Sequence, residues 1–200
     1  GKAAIEMVEE VATGSEMGRL IGQGPSAVGE HFGHHRVPVV KNQSIAAYDP
    51  RGLQGNGVTY ATSPMGADHT AGNLIGASLA GALDPLAAEG QVEASRNAQI
   101  AMAALDNTGL CLLVAGVLES PEASEAFGRL FKAAFGIEVG PDSGLVMGKK
   151  ILAAEREFNA RAGLTRDYDR LPRFFSREPL EPHNKTFLIS EEELDTVHNY

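Results

Sequence analysis

Apolar positions recur with a helical period over most of the chain. Residues 3–13 place Ala4, Ile5, Val8, Val11 and Ala12 on one face, with Glu6, Glu9 and Glu10 elsewhere. Gly14 follows where a left-handed C-cap is expected. Ser15 suits the cap of a second short helix over 16–23, and Pro25 the first position of a third, reaching about Phe32. Residues 33–69 then lose the period. They are rich in Gly and Pro and read as one long loop, a length that is usually functional or packed under something. Residues 37–40 allow a short strand that Pro38 confines to an edge. The helical pattern returns over 70–80, weakened by Gly72 and Gly76, and 81–86 reads as a turn. It is strongest over 89–105, where Val92, Ile100, Ala103 and Ala104 fall roughly in line.

After a polar interruption, a helix is expected over 110–118. Ser120, Pro121, Glu122 and Glu125 open another to about Phe135, with a Ser cap, Pro at the first position and acids in the first turn. Asp142 and Ser143 begin a long helix to Arg161 with an apolar stripe of Ile151, Ala154, Phe158 and Ala162, and Gly163 ends it. Residues 165–189 are polar and contain LPRFF and EPLEP, which reads as an extended strap across the surface. Ser190 with Glu193 is a capping-box pattern for a last helix. The fold class is all-α: an irregular multi-helix domain over 1–200, with a long Gly/Pro-rich loop, a C-terminal strap and no strand ladder.

The interruption, AMAALDNTGLCLL over 101–113, carries the first candidate chemistry. A polar DNTG step between two apolar segments must satisfy its backbone groups with protein, water or a ligand. Asp106 can accept N–H donors from a ligand, Gly109 allows a close approach to the backbone, and Cys111 can supply a thiolate. The same residues also fit a helix break in which Asp106 caps the next helix and Cys111 packs as a small hydrophobe.

Composition narrows the classes. A hydrophobic content of 43% and a charged content of 22% over 200 residues are those of a globular chain with a sizeable core. The net charge of −9 argues against nucleic acid, whose phosphates need clustered Lys and Arg. No apolar run is long enough to cross a membrane as a helix. One cysteine excludes an internal disulfide framework and suits a reducing compartment. Both ends stop within helical patterns, as in a piece of a longer chain.

His69 follows Asp68 at the junction of the long loop and a Gly-rich helix start. There it fits either a general acid or base, or a helix-terminal imidazole held by Asp68. His31, His34 and His35 have metal-like spacing but no neighbouring Cys or Glu, which favours a solvated cluster. His183 and His198 carry no signal. Gly52, Gly55 and Gly57 approach a dinucleotide fingerprint without its preceding strand or following helix, which excludes that reading. Arg51, after Asp49-Pro50, fits a phosphate ligand or a structural ion pair equally.

Taken together, three blocks resemble the tungsten-pterin aldehyde:ferredoxin oxidoreductase family. They are VKNQSIAAYDPRGLQGNGVTYATSPMGADH (40–69), DNTGLC (106–111) and DRLPRFFSREPL (169–180), in the family's order and at similar separations. The resemblance covers most of the chain. It implies the C-terminal α-helical domain of a larger oxidoreductase, without the family's N-terminal β domain and cluster-motif domain. Asp106 would accept from the N–H edge of a tungstopterin (bis-molybdopterin carrying W or Mo), with Gly109 and Leu110 bringing backbone against it. Cys111 would be one thiolate of a [4Fe–4S] cluster, which takes four in all; the family's CxxCxxxC run is absent here. His69 falls where the family places a histidine near the metal, and Tyr48, Asp49, Arg51 and Thr62 would shape the substrate side.

The implied reaction is oxidation of an aldehyde to a carboxylic acid with electrons passed to ferredoxin. The partners implied are ferredoxin, an aldehyde or acyl substrate, the missing domains and a homo-oligomeric copy. This piece alone is expected to be inactive and to retain neither cofactor. The alternatives are reduction of an aromatic acyl thioester by the same family's chemistry, or a non-catalytic helical scaffold. Asp68 stands where many members carry Cys before the histidine, and Thr70-Ala71-Gly72 lacks a basic residue found in some. Both departures imply a differently charged pocket.

Overall fold

The computed structural model describes the backbone of residues 1–200 and the side chains of all but 115 and 117–119. The capping chemistry read from the sequence sets the helix starts at Ser15, Pro25, Ser120 and Ser190, whereas the expected Asp142 makes no side-chain cap bond. Helix α1 runs Lys2–Thr13 and closes on Gly14; α2, Glu16–Ile21, is capped by the Ser15 hydroxyl, which accepts from Gly18 N; α3, Pro25–Phe32, begins on its proline. The apolar face of α1 is present as expected but has no cover: Val8 is 68% exposed. Helix α6 spans Gln91–Asp106, close to the expected 89–105. The segment expected as a helix over 110–118 is a 3-10 helix, Leu112–Glu119. Helix α7, Pro121–Phe135, starts where Ser120 accepts from Ala123 N, and α8 runs Ser143–Arg161.

Four expectations need correction. The centre of the long loop is a helix, α4 (Gln54–Thr62), with every residue buried. It shows no amphipathic period because all its sides are covered. Its polar side chains are satisfied across the fold: Gln54 donates to Thr186 O and accepts from Leu188 N, Asn56 accepts from Leu74 N, and Thr59 donates to Gly72 O. Before it lies a short antiparallel hairpin, β1 (Val39–Val40) with β2 (Gln43–Ser44), turned by Lys41 and Asn42 at φ 50° and 64°. Both left-handed turn residues are what a two-residue hairpin of matching twist requires. Over 70–80 only α5, Ile75–Leu79, is helical, since the glycines before it favour turns.

The long helix α8 packs on α6 through Gly148 and Leu152, not through the stripe of Ile151, Ala154, Phe158 and Ala162; Phe158 is 73% exposed. The C-terminal strap exists, but it threads into the core instead of crossing the surface. After a short 3-10 turn (Arg166–Tyr168), α9 (Phe174–Arg177) and a bridge between Leu180 and Lys185 lead to Phe187 and Ile189. Phe175, Phe187 and Ile189 are buried with Val58 and Ala61 of α4 and with Leu194 and Val197. The last helix, α10 (Glu191–Leu194), has the full capping box expected of Ser190 and Glu193. No helix among the described residues is long and apolar enough to cross a membrane.

Candidate functional site

An open cavity of about 660 Å³ lies between α6, α8 and residues 63–71, lined from α8 by Ile151, Ala154 and Phe158 of its apolar stripe. Asp106, at the last turn of α6, faces it with Asp68 from the loop and Glu155 from α8. Burial raises the Asp106 pKa above the usual carboxylate range, and the nearby Asp68 charge adds to the rise. Burial raises Glu155 likewise, with the Asp106 charge adding to it. Asp106 and Glu155 therefore hold protons more readily than solvated carboxylates. Met65, Ile151 and Phe158 supply the apolar remainder of the lining.

The turn beyond Asp106 is closed by its own atoms. Gly109 N donates to Asp106 O, Thr108 Oγ1 donates to Leu105 O, and Leu110 N donates to Thr108 Oγ1. Gly109 stands at φ 77° with no atom within 4 Å of where a Cβ would be. That backbone conformation favours glycine, and its outer side is open. The Asp106 carboxylate makes no side-chain hydrogen bond among the described residues, so it does not cap the next helix. Cys111 is a free, exposed thiol, not a packed small hydrophobe. These features fit a pterin edge and one iron: an unspent acceptor, an approachable backbone and one thiolate. Among the described residues no group of three or more His, Cys, Asp or Glu could hold a metal ion. One thiolate therefore leaves the rest of a cluster's ligands to other residues.

His69 is adjacent to the cavity but does not line it. Its Nδ1 lies 3.8 Å from Asp68 Oδ1, and its ring centroid lies 5.6 Å from that of Tyr48. Asp68 is held in turn by Thr70, whose N–H and hydroxyl both donate to Oδ1 at 2.9 Å. Nearby, the buried Tyr60 hydroxyl has no partner among the described residues, and burial pushes its pKa up to about 12. The structure thus joins Asp68, Asp106 and Glu155 around one space, with His69 next to Asp68 and Cys111 exposed five residues beyond Asp106.

The remaining motifs are structural. Arg51 donates through Nε and Nη2 to both Asp49 oxygens and through Nη1 to Glu178 O, so its guanidinium is spent on an internal pair and on the strap. Gly55 and Gly57 lie inside α4 and not in a turn leading directly from a strand into a helix, since β2 ends at Ser44 and α4 begins at Gln54, so the dinucleotide reading stays excluded. His35 pairs with Glu178 at 2.9 Å on the exposed surface, and His34 stacks on it. Sequence reasoning missed Glu155, because the wrong face of α8 was taken as the packing face. It also missed His198, which is largely buried and donates from Nε2 to Thr62 O, and the pairing of Lys41 with Asp169, residues 128 positions apart in the chain.

Residues 1–199 match the model of a family described as aldehyde ferredoxin oxidoreductase, domains 2 and 3. The tungsten-containing aldehyde ferredoxin oxidoreductase of Pyrococcus furiosus is 31% identical over 195 residues, covering 94% of this chain and 31% of the relative. Those of Thermococcus kodakarensis and Pyrococcus horikoshii are each 30% identical over 194 residues, with the same coverage. The chain therefore spans about a third of the length of these relatives. With the family model covering nearly every residue, the chain belongs to the aldehyde ferredoxin oxidoreductase family, as its domains 2 and 3.

Proposed function

We propose that this chain forms one wall of a tungstopterin site and contributes one ligand of a [4Fe–4S] cluster in a ferredoxin-linked enzyme that oxidises aldehydes to carboxylic acids. The observation that carries the reading is the DNTGLC turn. Asp106 presents a carboxylate without a protein partner to a cavity, Gly109 leaves its backbone open, and Cys111 offers a free exposed thiol within the same six residues. When bound, the tungstopterin and cluster supply the two-electron chemistry that side chains lack.

The residues of this chain divide the remaining work. Asp106 orients the pterin by accepting from its N–H edge, since a carboxylate is an acceptor on both oxygens when ionised. Cys111 binds iron as a thiolate. His69 carries a proton at Nδ1 or Nε2 as water adds to the aldehyde carbon, with the Asp68 carboxylate 3.8 Å from Nδ1 as the nearest acid. Met65, Ile151 and Phe158 give the hydrocarbon part of the aldehyde an apolar surface to pack on.

Replacement of Cys111 by Ser in the intact enzyme tests the first assignment. The cluster's electron paramagnetic resonance signal should weaken or vanish; an unchanged signal and iron count would remove Cys111 from the ligand set. Asp106→Ala should lower pterin occupancy, measured by release and fluorescence of the oxidised pterin. Full occupancy would end its assigned role. His69→Ala should cut turnover by about a hundredfold or more if the imidazole carries the proton.

A further inference from the structure

The end of α4 is gripped by side chains from widely separated parts of the chain. Lys41, at the hairpin turn, donates from Nζ to Ala61 O and to Ser63 O, each at 3.0 Å. Arg156 of α8 donates from Nη1 to Thr62 O at 3.3 Å, and His198 donates from Nε2 to the same oxygen at 3.1 Å. Asn159, one turn further along α8, donates from Nδ2 to Pro64 O at 2.8 Å. Four consecutive carbonyls, 61 to 64, are thereby occupied by donors from outside the helix. A helix C-terminus carries partial negative charge and unpaired carbonyls, so cations are favoured there.

One buried acid ties the grip together. Asp169 accepts from Lys41 Nζ at 2.7 Å and from Arg156 Nη2 at 2.9 Å; the Lys41 side chain is 4% exposed and that of Asp169 7%. Buried ionic groups add little net stability over apolar side chains of equal volume. Unlike apolar contacts, however, they fix direction and distance at each carbonyl.

What the grip holds is the segment that leads to His69. Immediately after it, Gly66 at φ 100° lies against the hairpin, where a Cβ would fall 2.5 Å from Val40 O. Residues 63–66 are thus tied at one end by donors and in the middle by a backbone contact only glycine permits. Asp68 and His69 complete the same stretch.

We propose that Asp169, acting through Lys41 and Arg156 and together with Asn159, is a positioning assembly that sets residues 63–69 so that His69 is presented in a single geometry. This rests on the reading of His69 as the proton carrier. Lys41, Arg156 and Asp169 do not line the cavity and act through the loop. Asn159 lines it as well as holding Pro64 O, so Arg156→Lys and the exchange readout separate positioning from direct contact. A misplacement of about 1 Å at a reacting group can cost about a hundredfold in rate.

Removing Asp169 would strand two buried cations and risk unfolding, so milder variants make the test. In the tungsten-loaded full-length enzyme, Asn159→Ala releases Pro64 O and leaves Asp169 and its cations in place. Arg156→Lys keeps a charge opposite Asp169 but loses the second N–H that reaches Thr62 O. Each should lower kcat about tenfold or more with KM little changed, and should speed amide hydrogen exchange over 65–69 by a similar factor while α6 keeps its protection. Unchanged exchange over 65–69, or unchanged kcat in an enzyme that His69→Ala inactivates, would overturn the proposal. Normal turnover in His69→Ala would defeat the proton-carrier reading alone, and exchange over 65–69 would still decide whether the assembly holds the loop.

Discussion

His198 sits against the end of α4 with its Nε2 on Thr62 O and its Nδ1 buried without a partner among the described residues. Burial, with the Arg156 charge next in weight, pushes its pKa down to about 4. A histidine whose folded pKa lies below its unfolded value resists protonation only while folded. The stability it contributes is therefore complete above the ordinary pKa of about 6.5 and is lost as pH falls toward 4. Asp106 and Glu155 act in the opposite sense, since acids with raised pKa values gain stability on protonation. Comparing the wild type with His198→Leu isolates the imidazole. Urea midpoints should show the wild type losing up to about 3 kcal/mol more than the variant between pH 6.5 and 4. Equal losses would mean that the ring is hydrated in the fold. Nothing in the sequence around His198 signals this environment, because its neighbours come from α4, α8 and the hairpin turn.

Helices that carried their own caps were legible in the chain. Ser15, Ser120 and Ser190 each accept the backbone N–H expected of a cap, and Pro25 and Pro121 stand at helix starts. Their evidence is local, within a turn of the helix end. Elements whose environment is supplied by distant partners were read wrongly. Helix α4 has no exposed face to make a period, and α8 buries Gly148 and Leu152 while its stripe lines a cavity. The strap reads as surface because it is polar overall, yet Phe187 lies against Val58 and Phe175 in the core. Its depth is measurable. Phe187→Ala should destabilise the fold by about 3–5 kcal/mol in denaturant titration. A strap lying on the surface would lose less than about 0.5 kcal/mol.

For the molecule as a whole, the proposed reading divides the cofactor chemistry between this chain and residues outside it. Cys111 is its one thiol, and the acids of the cavity do not form a metal-binding group among the described residues. The full-length enzyme, purified without oxygen, should contain tungsten and about four irons per chain, and this 200-residue segment expressed alone should retain neither. Metal analysis by mass spectrometry decides both. Iron and tungsten absent from the full-length protein would leave a helical scaffold and return Cys111 and His69 to ordinary roles. The uncovered apolar face of α1 and the open cavity have no counterpart that composition alone would reveal.

The all-helical class, the capped helix starts, the DNTGLC turn and the three family-like blocks were all readable along the chain, since each depends on residues within a few positions of one another. The meeting of Asp68, Asp106 and Glu155 in one wall needed the folded chain, as did the grip of Lys41, Arg156, Asn159 and His198 on the end of α4. Those contacts are between side chains far apart in sequence, and tertiary packing, not local propensity, brings them together and gives each its direction.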